Sequence, residues 1–503
     1  MSLAKIYTRA QVGVSAPQVC VEVHLSNGLP AFHIVGLPET SVKEAKERVR
    51  SAITNSKFLF PEQRITVNLA PADLPKEGGR YDLAIAVGIL AASGQIAAQQ
   101  LANFEFYGEL ALSGEVLAVN AILPSVLAAA KVNRCCYLPL QNDQLASLAP
   151  HAHRKAVTSL ESIWLDMQGQ QNLPVNITYP HDDNVSVESL DMSDVKGQEG
   201  AKRVLEIAAA GGHNVLFLGP PGTGKSMLAQ RMPSIMPTLP ADDALETASI
   251  YSLTGQHIDA QNWRKRPFRN PHHTCSAVAL VGGSSKPKPG EISLAHNGVL
   301  FLDELPEFER KVLDSLREPM ETGMVTISRA AQQVDFPARF QLIAALNPSP
   351  TGHYDDKRAT SDQVLRYLSK ISGPFLDRID LQVELPRLST LQLQSEQVQE
   401  TSKMVKERVD SAYDIALQRQ GKVNAMLSNR ELAVHCKLDE SEKQFLAKAV
   451  DKLQLSPRSY HRILKVARTI SDLNGHADIS LCALKEALSY RAFERLISHL
   501  TRY

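Results

Sequence analysis

Asn214-Val-Leu-Phe-Leu-Gly219-Pro-Pro-Gly-Thr-Gly-Lys225-Ser226-Met-Leu-Ala-Gln230 decides the fold of the middle of the chain. Val215 to Leu218 read as a buried strand, and Met227 to Gln230 open a helix. Between them, Gly219 to Ser226 fits G-x-x-x-x-G-K-[ST]. Glycines let backbone N–H groups converge on phosphate oxygens, and the helix N-terminus adds positive potential. Gly219, Pro220, Pro221, Gly222, Thr223 and Gly224 form the cradle. Lys225 would reach the β- and γ-phosphates of ATP, and Ser226 would bind Mg²⁺. A glycine-rich turn before an ordinary helix does not account for strand, loop and helix in this order.

Further on, Gly298-Val-Leu-Phe-Leu-Asp303-Glu304 is an apolar strand that ends in two carboxylates. Strands often end in acids, but after a phosphate loop the pair points to nucleotide hydrolysis. Asp303 would hold Mg²⁺ through water, and Glu304 would orient and polarise the attacking water. A third strand, Leu342-Ile-Ala-Ala-Leu-Asn347-Pro, ends in an amide. Asn347 fits a residue that positions that water, and a turn-forming Asn-Pro accounts for it equally well.

Around this centre, 503 residues allow two to four domains. Residues 1–173 read as mixed α/β: Val19 to Leu25 and Arg64 to Leu69 have strand character, while Thr40 to Ile53, Tyr81 to Ala92 and Ala121 to Val132 are helical. Residues 174–191, rich in Pro, Asn, Asp and Ser, read as a linker. Residues 192–385 alternate helices with short apolar strands, the pattern of a parallel sheet with crossover helices. From 386 to 503 helical patterns dominate, at Leu391 to Leu417, Glu440 to Leu453, Tyr460 to Leu473 and Leu481 to Ile497.

Composition excludes little. Lys+Arg and Asp+Glu both number 54, so bulk charge announces no nucleic-acid partner, yet a ring can concentrate basic side chains in its pore. The six cysteines form no C-x-x-C pair, which argues against a zinc site or a disulfide framework. Reduced thiols, the absence of an apolar leader after Met1 and the lack of a bilayer-length apolar stretch predict a cytoplasmic protein without a membrane partner. His272 and His273 are adjacent, so on a strand they would face opposite ways, and no matching metal ligands stand nearby; packing is the better reading.

The chain resembles the magnesium-chelatase-like AAA+ ATPases of the ComM/YifB competence type along nearly its whole length. The resemblance rests on Arg266-Pro-Phe-Arg-Asn-Pro-His-His273, on Pro289 to Leu305, on Leu376-Asp-Arg-Ile-Asp-Leu381 and on Ser459 to Ile470. Gly36-Leu-Pro and Val67 to Gly78 match as well. It implies an N-terminal Lon-protease-like (ribosomal S5 domain 2-like) α/β domain, an AAA+ P-loop core and a C-terminal helical lid. It also implies that Val195 and Gly197 line the adenine pocket. Arg378 resembles an arginine finger offered to the neighbouring subunit's nucleotide, and a helix-end Arg paired with Asp377 or Asp380 is the plainer reading. Arg458 resembles a second sensor, with Arg462 one turn later as the fallback.

The same resemblance implies a helix-2 insert over roughly Arg269 to His296 and a hairpin near Gly323 to Ala330, both facing the channel of a hexameric ring. Lys286, Lys288 and Arg329 then become candidate DNA phosphate contacts, which position without reading sequence. The implied function is an ATP-dependent helicase that drives branch migration on branched and single-stranded DNA in natural transformation. The competing reading is a chelatase-type motor that remodels a protein partner. Two departures bear on this. The stretch Asn347 to Tyr354 lacks the cysteines of many relatives, and Lys76-Glu-Gly-Gly-Arg-Tyr-Asp82 has no serine where Lon-type proteases carry their nucleophile. The N-terminal domain is therefore expected to be non-proteolytic.

Overall fold

The computed structural model describes residues 2–36, 39–177, 190–255, 263–283, 287–328, 333–352, 360–394, 399–453 and 455–500. The chain divides into two compact units: Met1–Val185 with Ala241–Trp263, and Ser186–Pro240 with Arg264–Tyr503.

In the first unit, Gln18–Ser26 buries Val19, Val21, Val23 and Leu25 on one face, as period-two alternation dictates. It pairs antiparallel with Ser2–Arg9 on one side and Arg64–Ala70 on the other. Ala31–Val35 extends the sheet at one edge, and Phe104–Phe106, Cys135–Pro139 and Arg154–Val157 at the other, giving seven strands. The helix Asp82–Ala92 is buried along its whole length and packs against this sheet, which is why its sequence shows no polar face.

A second core in this unit holds Ile122, Leu123 and Val126 of the helix Ile122–Ala130 together with Leu245, Ala248 and Trp263. The helix Ala241–Thr254 supplies the first two of those three. Its last turn is fastened by a hydrogen bond from the Ala121 N–H to the Ser252 carbonyl, 2.9 Å. This differs from the expectation that residues 192–385 form one body, because Ala241–Trp263 groups with residues 1–185 in the N-terminal unit. The physical reason is the apolar stripe Ala244, Leu245 and Ala248, which is buried there.

The second unit is built on a five-stranded sheet in the order Phe268–Arg269, Val299–Leu302, Gln341–Leu346, Val215–Leu218 and Leu381–Glu384. All four pairings are parallel. The apolar strands are buried end to end, as strands covered on both faces must be. Val215 and Phe217 share one core with Val409, Ile470 and Leu484 of the helices Ser402–Gln420, Pro457–Leu473 and Leu481–Ser489. Among the described residues the stretch after Pro386 is helical apart from short turns and single bridges, and no described helix is long and apolar enough to cross a membrane. Met324–Ser328 and Gln333–Pro337 pair antiparallel as the expected hairpin, Val325 opposite Phe336 with both buried.

Candidate nucleotide site

The candidate phosphate loop lies between the strand Val215–Leu218 and the helix Lys225–Ile235. Gly222 and Gly224 take φ of 77° and 90°, left-handed values that suit residues without Cβ and that turn the intervening amides. The Lys225 ammonium donates to the carbonyls of Gly219 (2.6 Å) and Pro220 (3.0 Å) and to Asn347 Oδ1 (3.0 Å). Burial pushes this lysine below its ordinary range, and the charges of Asp303 and Glu304 pull the other way. The Ser226 hydroxyl donates to Asp303 Oδ2 at 2.6 Å. Four residues of three different sequence segments therefore meet at one helix N-terminus. They meet because Val299–Leu302 and Gln341–Leu346 are neighbours in the sheet and Gln341–Leu346 also borders the loop strand.

Glu304 has φ 51° and ψ 47°, the left-handed region, which costs a non-glycine residue on the order of 1 kcal/mol or more. Its carboxylate stands 3.0 Å from His273 Nδ1, and the His273 ring meets Phe308 edge-on. The two histidines therefore do not lie on a strand: their rings are 4.1 Å apart, and His273 turns toward the second acid of the Asp303-Glu304 pair. Sequence reading missed this partnership, because nothing in Pro-His-His marks which acid it faces.

On the far side of the loop, Val195 is buried and Gly197 lies against Leu388, where an added Cβ would come within 3.0 Å of the leucine. Gln198 makes the link that joins this segment to the loop, donating from Nε2 to the carbonyls of Thr223 (3.1 Å) and Pro386 (2.9 Å).

The arginines form a separate group. Arg378 donates to the Pro374 carbonyl and to Glu321, while its Nε is buried without a partner. Arg458 is exposed, 3.7 Å from Asp377. Arg462 is buried, bonds the Ile379 carbonyl at 3.1 Å and stands 3.5 Å from the same Asp377. Burial pushes the Arg462 guanidinium below its usual range against the pull of Asp380 and Asp377. Neither Arg378 nor Arg458 contacts the Lys225 cluster among the described residues. Lys288 is exposed on the short pairing of Gly282–Gly283 with Lys288–Pro289, whereas Lys286 and Arg329 lie outside the described residues.

Comparison with known proteins matches this architecture segment by segment. Residues 191–393 match the family model described as magnesium chelatase, subunit ChlI; residues 21–142 match that of subunit ChlI of Mg-chelatase, and residues 399–491 its C-terminal model. The chain is 53% identical over its whole length to Competence protein ComM of Haemophilus influenzae, also covered in full. It is 49% identical to YifB of Salmonella typhimurium, covering 100% of this chain and 99% of that one. A shorter likeness, 28% over 204 residues, covers 37% of this chain and 20% of the DNA replication licensing factor Mcm2 of Drosophila melanogaster. Three matching family models and full-length identity of this order make the chain a member of the ComM/YifB family of magnesium-chelatase-like AAA+ proteins.

Proposed function

We propose that the chain is an ATP-hydrolysing motor that assembles as a hexameric ring on DNA and drives branch migration of recombination intermediates during natural transformation. The observation that carries the ATP chemistry is the convergence of Lys225, Ser226, Asp303 and Asn347 at the N-terminus of Lys225–Ile235. The DNA part is supported by full-length similarity to a competence protein and by the partial likeness to a replication licensing factor.

The residues suit ATP with Mg²⁺. The Ser226 hydroxyl and the Asp303 carboxylate are adjacent hard oxygen donors of the kind Mg²⁺ takes. Bound Mg²⁺ supplies positive charge to the phosphate oxygens. Lys225 exchanges backbone carbonyls for phosphate oxygens, a better match for a partly buried ammonium. Glu304 accepts the proton of the attacking water, and Asn347 helps to hold that water. Arg378 stabilises charge on the phosphoryl group in the neighbouring subunit, and Arg458 or Arg462 carries the change to the helical region. Val195 and Gly197 border the base. The N-terminal unit is a non-proteolytic Lon-like scaffold, and Lys286, Lys288 and Arg329 are the candidate contacts to DNA phosphates.

The test is a synthetic four-way DNA junction with ATP, resolved on a gel, with Lys225→Ala and Glu304→Gln as controls. Wild type should separate the junction and both variants should not. A junction left intact, together with an ATPase rate indifferent to DNA, would sink the DNA reading and favour the alternative, a chelatase-type motor that remodels a protein partner.

A further inference from the structure

The hairpin Met324–Ser328 and Gln333–Pro337 is linked in sequence to contacts with two candidate ATP residues, Asn347 after its second leg and, through Glu321 before its first leg, Arg378. Its second leg leads through Ala338 and Arg339 into Gln341–Leu346, the strand that presents Asn347 to the Lys225 ammonium. Its first leg is preceded by the short helix Pro319–Thr322, which carries Glu321. Glu321 accepts a hydrogen bond from Arg378 Nη2. The base of the hairpin is closed by a 2.7 Å hydrogen bond from the Ala338 N–H to the Gly323 carbonyl, which ties the two legs together.

We infer that Glu321 is a positioning residue that restrains Arg378 until the hairpin is displaced, making the hairpin a lever on the site that Arg378 serves. The inference rests on the proposed role of Arg378 toward a neighbouring nucleotide. Glu321 itself was not singled out by any sequence motif.

The chemistry gives the sign. The side chain of Arg378 is mostly buried, at 15% exposure, and is turned onto Glu321, which is 60% exposed. Its Nη1 is occupied by the Pro374 carbonyl. A guanidinium held this way cannot present its two-pronged face to a phosphate, and Glu321 beside a γ-phosphate would repel it. Arg378 must therefore leave Glu321 before it acts. Glu321 is three residues from the first paired hairpin position, Met324, so a polyanion that engages the hairpin shifts the carboxylate and frees the arginine. The second leg reports the same movement to Asn347. One displacement then addresses both the chain's own ATP site and its neighbour's.

The experiment compares steady-state ATPase of the full chain as wild type, Glu321→Gln, Arg378→Ala and the double variant, each with and without a DNA junction. Glu321→Gln should raise the DNA-free kcat about two- to fivefold, the range set by a partly exposed ion pair. The KM for ATP should stay unchanged, and the stimulation by DNA should shrink by a similar factor. Arg378→Ala should abolish hydrolysis, and adding Glu321→Gln to it should change nothing further. Glu321→Asp, which keeps the charge on a shorter arm, should fall between wild type and Glu321→Gln. If Arg378→Ala is inactive while Glu321→Gln matches wild type with and without DNA, the restraint is wrong and the arginine reading stands. If Arg378→Ala retains wild-type kcat, the arginine reading fails and takes the restraint with it.

Discussion

His273 Nδ1 and Glu304 Oε2 stand 3.0 Å apart, and the glutamate holds this contact from a left-handed backbone conformation. Strain retained at the second acid of the Asp303-Glu304 pair means that its surroundings fix it there. His273 is thus expected to set the aim of the Glu304 carboxylate. His273→Ala should lower kcat about tenfold, equivalent to ~1.4 kcal/mol, with ATP affinity unchanged. His273→Asn, which keeps a polar partner, should lose less. Rapid-quench hydrolysis alongside equilibrium nucleotide binding separates the two quantities, and a wild-type kcat in His273→Ala would make the contact incidental.

Asn347 shares Lys225 with two backbone carbonyls, so its loss leaves the ammonium partly satisfied. Asn347→Ala should therefore bind ATP within about threefold of wild type while hydrolysing it at least tenfold more slowly, by the logic of an interaction realised mainly in the transition state. Lys225→Ala should instead lose nucleotide binding. Fluorescent-nucleotide titration of both variants decides the matter, and equal loss of binding would contradict the division of labour.

The N-terminal unit should not be stable as residues 1–177 alone. Without Ala241–Thr254, the core that holds Ile122, Leu123 and Val126 loses Leu245 and Ala248. Uncovering large aliphatic side chains costs roughly 1.5–3 kcal/mol each, a sizeable part of a domain's stability. Joining residues 241–263 back through a flexible linker should restore cooperative melting. Thermal denaturation of both fragments would show it, and a cooperative transition of equal Tm without the helix would refute it.

Asp82 gives the same unit a pH signature. Burial raises its carboxyl to about 6, against the opposing pull of Arg48. The folded form therefore binds the proton more tightly than the unfolded one. That contribution is complete below the ordinary carboxylate value and is lost as pH rises to about 6. Wild type should accordingly lose stability relative to Asp82→Asn between pH 4 and pH 6, and the difference should level off above that. Urea unfolding across this range measures the difference, and a flat curve would show that Asp82 does not titrate this way.

The parallel sheet and its site were readable because strand, glycine turn and helix signals fall within a few residues of one another. Val215 to Ser226 states its own structure. Asp303 and Asn347 were legible for the same reason, each being the polar end of a fully buried strand. Leu381–Glu384 passed unread because its alternation of apolar and polar residue types is too short to stand out from the Leu-Asp-Arg-Ile-Asp run before it. The helix Ala241–Thr254 was readable as a helix but not as a part of the other unit, since an apolar stripe does not name the surface it will cover. Side-chain pairings such as Glu321 with Arg378 and His273 with Glu304 depend on how the sheet brings distant segments together, and no local pattern encodes them.

The path of the chain through Ala241–Trp263 also sets the order in which the protein can be completed during synthesis. Domains generally fold as units while the chain emerges from the N-terminus. Here the first unit lacks part of its core until Trp263 has been made, and by then the whole phosphate loop at Gly219 to Ser226 has emerged. The first unit thus cannot be completed until the opening stretch of the second, Ser186–Pro240, has already been synthesised. A pause or a premature stop between residues 178 and 240 would leave an N-terminal body with an uncovered apolar face, a substrate for chaperones and proteases.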